Sequence, residues 1–389
     1  MKALKVLTVA SILSMFFSCE KDNNTTFQVE NTLDIDRSFE TIELSKSVLN
    51  LQNLEGLAIK NIENNNVVTS QLVDTDADGV NDLLLFQPKI KAKQTNTYKI
   101  VKATKNDSAA VICYSRFVPE RTDDYAWENN KVAFRIFGPN AQYRFENNLP
   151  EPTLSSGVDA WLKKVEYPII NKWYKKYTEK TGSYHEDTGE GLDNFHVGKS
   201  RGVGGLAYKK DSIYYISKNF IKHKTITTGP IRTSFYVEYD LWGPEGTPIK
   251  ESRIISLDYG NNLSKFEVNI QGIDTISAGL TLHENDGVVT SKNGETWLNY
   301  WQPHANAELG TALVAPSIYY AGNEKYETDK KDLSNAFIHL KAVNNSVVYY
   351  AGFTWSKSNQ FKNQQAWEQY LSAFAIKVEN PLKVKLINN

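Results

Sequence analysis

TSFYVEYDL (233–241), RIISLD (253–258) and SKFEVNIQ (264–271) follow one another in the middle of the chain. β-Branched and aromatic residues dominate all three, and Gly, Pro, Asn and Asp punctuate the gaps. The pattern reads as consecutive strands of an antiparallel sheet. Residues 213–216, 312–314, 346–355 and 382–387 extend the same pattern on either side. Toward the N-terminus, 27–44, 57–59, 67–73, 83–86, 97–101 and 109–114 give shorter strands bounded by Asn and Asp clusters. The expected architecture is mainly β. A large antiparallel β-sandwich at 118–389 carries a few outer helices, and a small N-terminal β-sandwich domain fills 27–117.

Two windows read as helical. QQAWEQYLSAFA (364–375) is amphipathic. Val158, Trp161, Leu162 and Val165 recur at helical spacing, Pro168 interrupts, and Ile169, Ile170, Trp173 and Tyr177 resume. Lys163, Lys164, Lys172, Lys175, Lys176 and Lys180 then form a basic, solvated face.

Composition excludes several classes. Hydrophobic residues at 41% and charged residues at 23% are those of a globular chain, which rules out bulk disorder. The 44 basic and 45 acidic residues leave no basic surplus, so a general nucleic-acid binder is not expected. There is no Walker loop, no His-Glu-x-x-His helix and no Gly-x-Ser-x-Gly elbow.

At the N-terminus, Lys2 and Lys5 precede a mostly apolar stretch at 6–17 and then Phe16-Phe17-Ser18-Cys19. This resembles a bacterial lipoprotein signal. Residues 1–18 are the expected signal peptide, Cys19 the lipidation site and 19–26 a polar tether, which anchors the protein to a membrane facing the periplasm or the cell surface. Cys113 would then have no disulfide partner, and its apolar surroundings read as a buried thiol.

Four segments carry candidate chemistry. Asp74, Asp76, Asp78 and Asp82 alternate around Gly79, a pattern that suits either a structural calcium ion or a polar hairpin turn. The stretch 182–196 gathers Tyr184, His185 and His196 with four acids in a glycine-rich loop, although the chain has only six histidines. His185 offers a base and Tyr184 a phenol acid. Lys131 and Arg135, four apart near Trp127, and farther on Arg201 and Arg232, offer charge for an anionic ligand or are ordinary surface residues. Tyr300-Trp-Gln-Pro-His304 places Trp301 either against a sugar ring or in a core, with His304 beside it.

Asp76-Ala-Asp-Gly-Val-Asn-Asp82, Trp127-Glu-Asn-Asn-Lys131, Tyr184-His-Glu186, Val197-Gly198 through Gly204-Gly205 and Gly229-Pro-Ile-Arg232 occur in this order. Together they resemble a family of secreted or lipidated Bacteroidota proteins filed as a domain of unknown function and linked to polysaccharide use. The resemblance spans about residues 27–385. One class within it resembles the ulvan oligosaccharide dehydratases, which remove water across C4 and C5 of a non-reducing-end uronic acid. That chemistry needs a cation on the carboxylate, a base near C5 and an acid for the departing hydroxyl, and no cofactor is required. The expected catalytic residues are His185, Tyr184 and Arg135. Trp127, Lys131, His196, Arg201, Arg232, Trp301 and His304 are expected on an anionic oligosaccharide. A polysaccharide lyase and a non-catalytic glycan-binding lipoprotein use the same residue types.

Overall fold

The computed structural model describes residues 25–104, 109–330 and 332–387. The lipoprotein signal and Cys19 lie outside them. Paired strands in every sheet are antiparallel, and helices are few, so the chain is mainly β as its patterning predicts.

The N-terminal part holds two sheets. One has the order Lys383–Ile387, Thr26–Glu30, Thr95–Lys102, Leu57–Asn61, Val67–Val68; the other has Ile42–Ser45, Leu83–Phe86, Ser70–Val73. Their shared core centres on Phe27, Phe86 and Tyr98, whose ring centroids lie 5.1–5.8 Å apart. The last strand of the chain closes the first of these sheets, pairing Phe27 with Leu386.

The main body has an eight-stranded sheet and two five-stranded sheets. Phe235, Val237, Phe266 and Val268 from the first meet Ile276, Leu280 and Ile338 from the second and Trp127, Phe134 and Leu162 from the third in one core. The helix Gln364–Glu379 lies on a further cluster, packing Trp367 and Leu371 against Trp297, Trp301 and Val314. Asn363 caps its start by accepting from the Ala366 N–H at 3.0 Å.

The helical reading of 158–165 is corrected. Asp159–Lys163 is a strand, and the helix begins only at Ile170–Thr178. Val158, Ala160 and Leu162 enter the main core, whereas Trp161 enters a smaller cluster with Trp173, Tyr174 and Tyr184. A strand buried on both faces loses the alternation that identifies a strand. Lys163 is not on a solvated face either. It is buried with Glu128, Nζ to Oε2 2.7 Å, and Glu128 also accepts from the Ile169 and Ile170 N–H groups that start the helix.

Two of the segments that carry the resemblance, 127–131 and 229–232, are structural joints. Asn129 donates to the carbonyls of Asp258 and Asn261 and accepts from the Lys131 and Val132 N–H groups. Gln71 of the N-terminal part accepts from the Ile231 and Arg232 N–H groups at 2.9 Å each. A Cβ on Gly229 would stand 2.3 Å from the Gln71 amide, so glycine is what lets the two parts approach. Cys113 is buried beside this joint, with its thiol donating to the Ile231 carbonyl, and burial pushes its pKa up.

Candidate functional site

Three histidines bond to one tetrapeptide, Asp193-Asn-Phe-His196, which itself contributes a fourth of the six. His185 Nδ1 lies 2.6 Å from the Asp193 carbonyl, His304 Nε2 3.1 Å from Asn194 Oδ1, and His283 Nε2 2.9 Å from the His196 carbonyl. The Phe195 ring meets the His283 ring edge-on at 4.7 Å. His196 itself pairs with Asp332 at 3.1 Å. Gly198 makes that pair possible, because a Cβ there would stand 2.1 Å from Asp332 Oδ2 and 2.8 Å from His196 Nε2.

The hydrogen bonds set the imidazole tautomers. A carbonyl only accepts, so His185 Nδ1 carries its proton, leaving Nε2 as a lone pair on a side chain that is 56% exposed. His283 likewise donates from Nε2 to the His196 carbonyl. Its Nδ1 faces the Gln302 amide, and the otherwise unpartnered Gln302 NH2 satisfies it when that amide is turned toward the ring. Burial lowers the pKa of His283, and burial together with His283 lowers that of His304 to about 4. Both rings are therefore neutral near pH 7. His283 (φ 46°) and Asn285 (φ 55°) lie in the left-handed region, the kind of local strain that clusters at functional sites.

His196 and His283 line a cleft of about 780 Å³ with Glu284, Glu327, Asp332 and Lys330. On the other side of the tetrapeptide, the Asp193 carboxylate points inward to Arg135. Arg135 is buried among Asp159 (2.6 Å), Asp193 (2.8 Å) and Asp124 (3.6 Å). Tyr184 is buried too, its hydroxyl accepting from Arg121 Nε at 3.3 Å and Arg135 Nη1 at 3.5 Å.

The expected site residues thus divide. His185 and His304 bond to Asp193 and Asn194, His196 ends the same tetrapeptide, and Tyr184 and Arg135 lie on its inward side. Trp127 is fully buried, its Nε1 on Ser264 Oγ at 3.0 Å, and Trp301 is packed under the C-terminal helix. Neither ring presents a face to a sugar. Arg201 is buried in the main body with Nη1 on Ser156 and the Leu206 carbonyl. Lys131 and Arg232 line a different cleft.

Two residues were not singled out from sequence. His283 sits in a turn with no pattern around it. Arg121 uses Nε on Tyr184 and Nη1 on Thr122, which leaves Nη2 without a hydrogen bond among the described residues. Thr122 (φ 51°) and Asp123 (φ 68°) follow it in the left-handed region, and Gly138 leaves space for the Asp123 carbonyl, 2.1 Å from where a Cβ would be.

A second polar trio has the composition of a nucleophilic site. Ser277 Oγ lies 2.9 Å from His339 Nδ1, and His339 Nε2 lies 3.3 Å from Glu324. But Ser277 and His339 face each other across paired strands and Ser277 is buried. The neighbouring N–H groups serve the sheet, so none is spare for an oxyanion, and the trio is cross-strand packing.

Asp74, Asp76 and Asp78 bring carboxylate oxygens within 4.8 Å of one another. They already accept turn N–H groups, from Ala77, Gly79, Asp78 and Val80, and Asp82 is held by Thr75. These bonds account for the turn on their own, and a chelator is expected to leave the Tm unchanged. A drop reversed by added calcium would assign these carboxylates to a structural ion instead.

His304 gives a pH prediction. Its folded pKa of about 4 lies below the ordinary 6.5, so the stability it contributes is full above about pH 6.5 and lost as pH falls toward 4. His304→Gln is expected to flatten that part of the Tm-against-pH curve. An unchanged curve would place the acid sensitivity elsewhere.

The chain is 50% identical over 395 residues to the protein named "Uncharacterized protein P7" of Formosa agariphila, a match covering 99% of this chain and 100% of that one. Its fold is similar to the crystal structure of a protein in glycosyl hydrolase family 38 from Enterococcus faecalis, with a TM-score of 0.54 at 10% identity. That match covers 95% of this chain but only 48% of the other, and it is a likeness of fold alone. The model of the family described as "Domain of unknown function (DUF4861)" matches residues 29–384, and the chain belongs to that family.

Proposed function

We propose that the protein is a carbon–oxygen lyase of the hydro-lyase type. It removes water across C4 and C5 of a non-reducing-end uronic acid on ulvan-type, sulfated and carboxylated oligosaccharides. The observation that carries this reading is His185, with Nδ1–H tied to the Asp193 carbonyl and a side chain that is 56% exposed. Nε2 takes the C5 proton, the C4–O bond breaks, and the C4=C5 bond forms. His196, paired with Asp332, gives a proton to the departing hydroxyl, which leaves as water. Arg121, with its spare Nη2, holds the uronate carboxylate and makes the α-proton removable. No cofactor enters this scheme. In this reading the sugar's carboxylate lies on the Arg121 side of the tetrapeptide, away from Glu284, Glu327 and Asp332, whose charge repels an anion.

The test is a mass spectrum of ulvan-derived oligosaccharides after incubation. Loss of one water with unsaturated-uronate absorbance and no shortening supports the reading. Unsaturation with shortening makes the protein a polysaccharide lyase, and no change makes it a glycan-binding protein. The same proposal places the protein on a lipid at Cys19, facing the periplasm or the cell surface. Among the described residues no helix is long and apolar enough to cross a membrane. Cys19→Ala is expected to move the protein from the membrane fraction to the soluble one. Retention would mean that some other segment anchors it.

A further inference from the structure

A second cleft, of about 670 Å³, opens where the N-terminal sheets, the eight-stranded sheet and the C-terminal helix meet. That volume lies within the roughly 300–1,000 Å³ of small-molecule sites, which favour such junctions. Phe39, Tyr350, Phe361, Tyr370 and Phe374 contribute aromatic walls. Phe361, Tyr370 and Phe374 are braced by one another and by Trp367, and Tyr350 meets Phe374 edge-on at 5.0 Å. The Tyr350 hydroxyl has no hydrogen-bond partner among the described residues, although it lines the cleft. Phe39 holds a left-handed backbone (φ 60°), which costs energy for a bulky residue. It fits only because Gly260 has no Cβ, which would stand 2.4 Å from the ring.

Charge sets the ligand class. Arg232 neutralises the floor, pairing with Asp258 at 2.6 Å and Glu43 at 2.5 Å, and Lys377 answers Glu40. Lys131 and Lys265 remain at the rim, tied only to the exposed acids Glu166 and Glu267. Exposed pairs of this kind are worth little and are given up readily to a better anion. Aromatic walls for the apolar face of a pyranose, a free hydroxyl and two releasable lysines fit a carboxylated or sulfated sugar.

We propose that this cleft is a second, non-catalytic oligosaccharide site that holds an anionic sugar unit while another part of the chain reaches the histidines. The choice of sugar rests on the uronate reading above, but binding here requires no chemistry. The test follows hydrogen–deuterium exchange on the full chain with a sulfated glucuronate–rhamnose tetrasaccharide from ulvan, and with its desulfated, carboxyl-reduced form as control. The charged sugar is expected to protect residues 38–43 and 361–374, and the neutral one is not. The double variant Lys265→Ala, Tyr350→Phe should keep its Tm and its turnover of a short substrate, yet lose that protection and about tenfold in affinity at this cleft. Protection confined to 193–196 and 283–286, or absent from both clefts, overturns the proposal. Protection at 38–43 and 361–374 without any unsaturated product sustains it while sinking the hydro-lyase reading.

Discussion

His185→Ala is expected to lower turnover at least about a hundredfold, the lower end of what a positioned proton-transfer group supplies. The expectation comes from geometry. The 2.6 Å bond from Nδ1 to the Asp193 carbonyl fixes both the tautomer and the ring plane, so Nε2 is always the basic nitrogen and always faces outward. The ring is 56% exposed and rests on Tyr184 at a centroid distance of 4.5 Å, so its removal leaves no cavity in a core. The melting curve should therefore stay close to wild type, within the ~1 kcal/mol of one hydrogen bond. Measured together, unsaturated-uronate absorbance and the thermal melt separate a chemical loss from a folding loss. A variant that keeps its turnover takes His185 out of the reaction, and the base would then be sought at His196, the other solvent-exposed imidazole of the cluster.

Much of the fold was readable because a half-buried strand carries its own signature. Phe266, Val268 and Ile270 alternate with Lys265, Glu267 and Asn269, and the structure puts the first set in the core. The signature fails when both faces are buried. Asp159 and Lys163 look solvent-facing in sequence, but each is neutralised by a partner from another strand of the same sheet, Arg135 and Glu128. Nor does local pattern reveal pairing across the whole chain. Residues 382–387 read as a strand, but nothing near them indicates that Thr26–Glu30 is the neighbour.

The candidate site divides along the same line. The density of polar groups in 182–196 pointed to His185 and His196, because a loop that concentrates rare titratable residues is unusual whatever surrounds it. Arginines and tryptophans misled for the opposite reason. A buried Arg135 held by three aspartates is indistinguishable in sequence from one that waits for a carboxylate, since Asp124, Asp159 and Asp193 approach it from three separate segments. Trp127 and Trp301 look like sugar platforms until their burial is known. His283 and Arg121 owe their positions to backbone turns in the left-handed region rather than to any periodic pattern.

Arg135→Ala is expected to cost about 3–5 kcal/mol of stability, the usual effect of removing one partner from a buried ion cluster. Arg135 Nη2 bonds Asp159 at 2.6 Å and Asp193 at 2.8 Å, Nε bonds Asp159 at 2.9 Å, and Nη1 approaches Asp124 at 3.6 Å. Without it three buried carboxylates face one another, with only Arg121 nearby. Burial already raises the pKa of Asp124 to about 6, Arg135 being what restrains it, and burial with Asp193 raises that of Asp159 well above the ordinary value. A carboxyl whose folded pKa is raised favours the folded state at low pH. That advantage disappears as pH climbs from about 4 through about 6. Removing Arg135 raises these values further, so the stability gap between variant and wild type should be widest near pH 8 and narrower near pH 5. Adding Asp159→Asn and Asp193→Asn to Arg135→Met should recover part of the loss, because amides leave no charge to bury. A gap that widens toward acid, or a cost below about 1 kcal/mol as for an exposed pair, would show that the cluster does not hold the histidine-bearing loop in place.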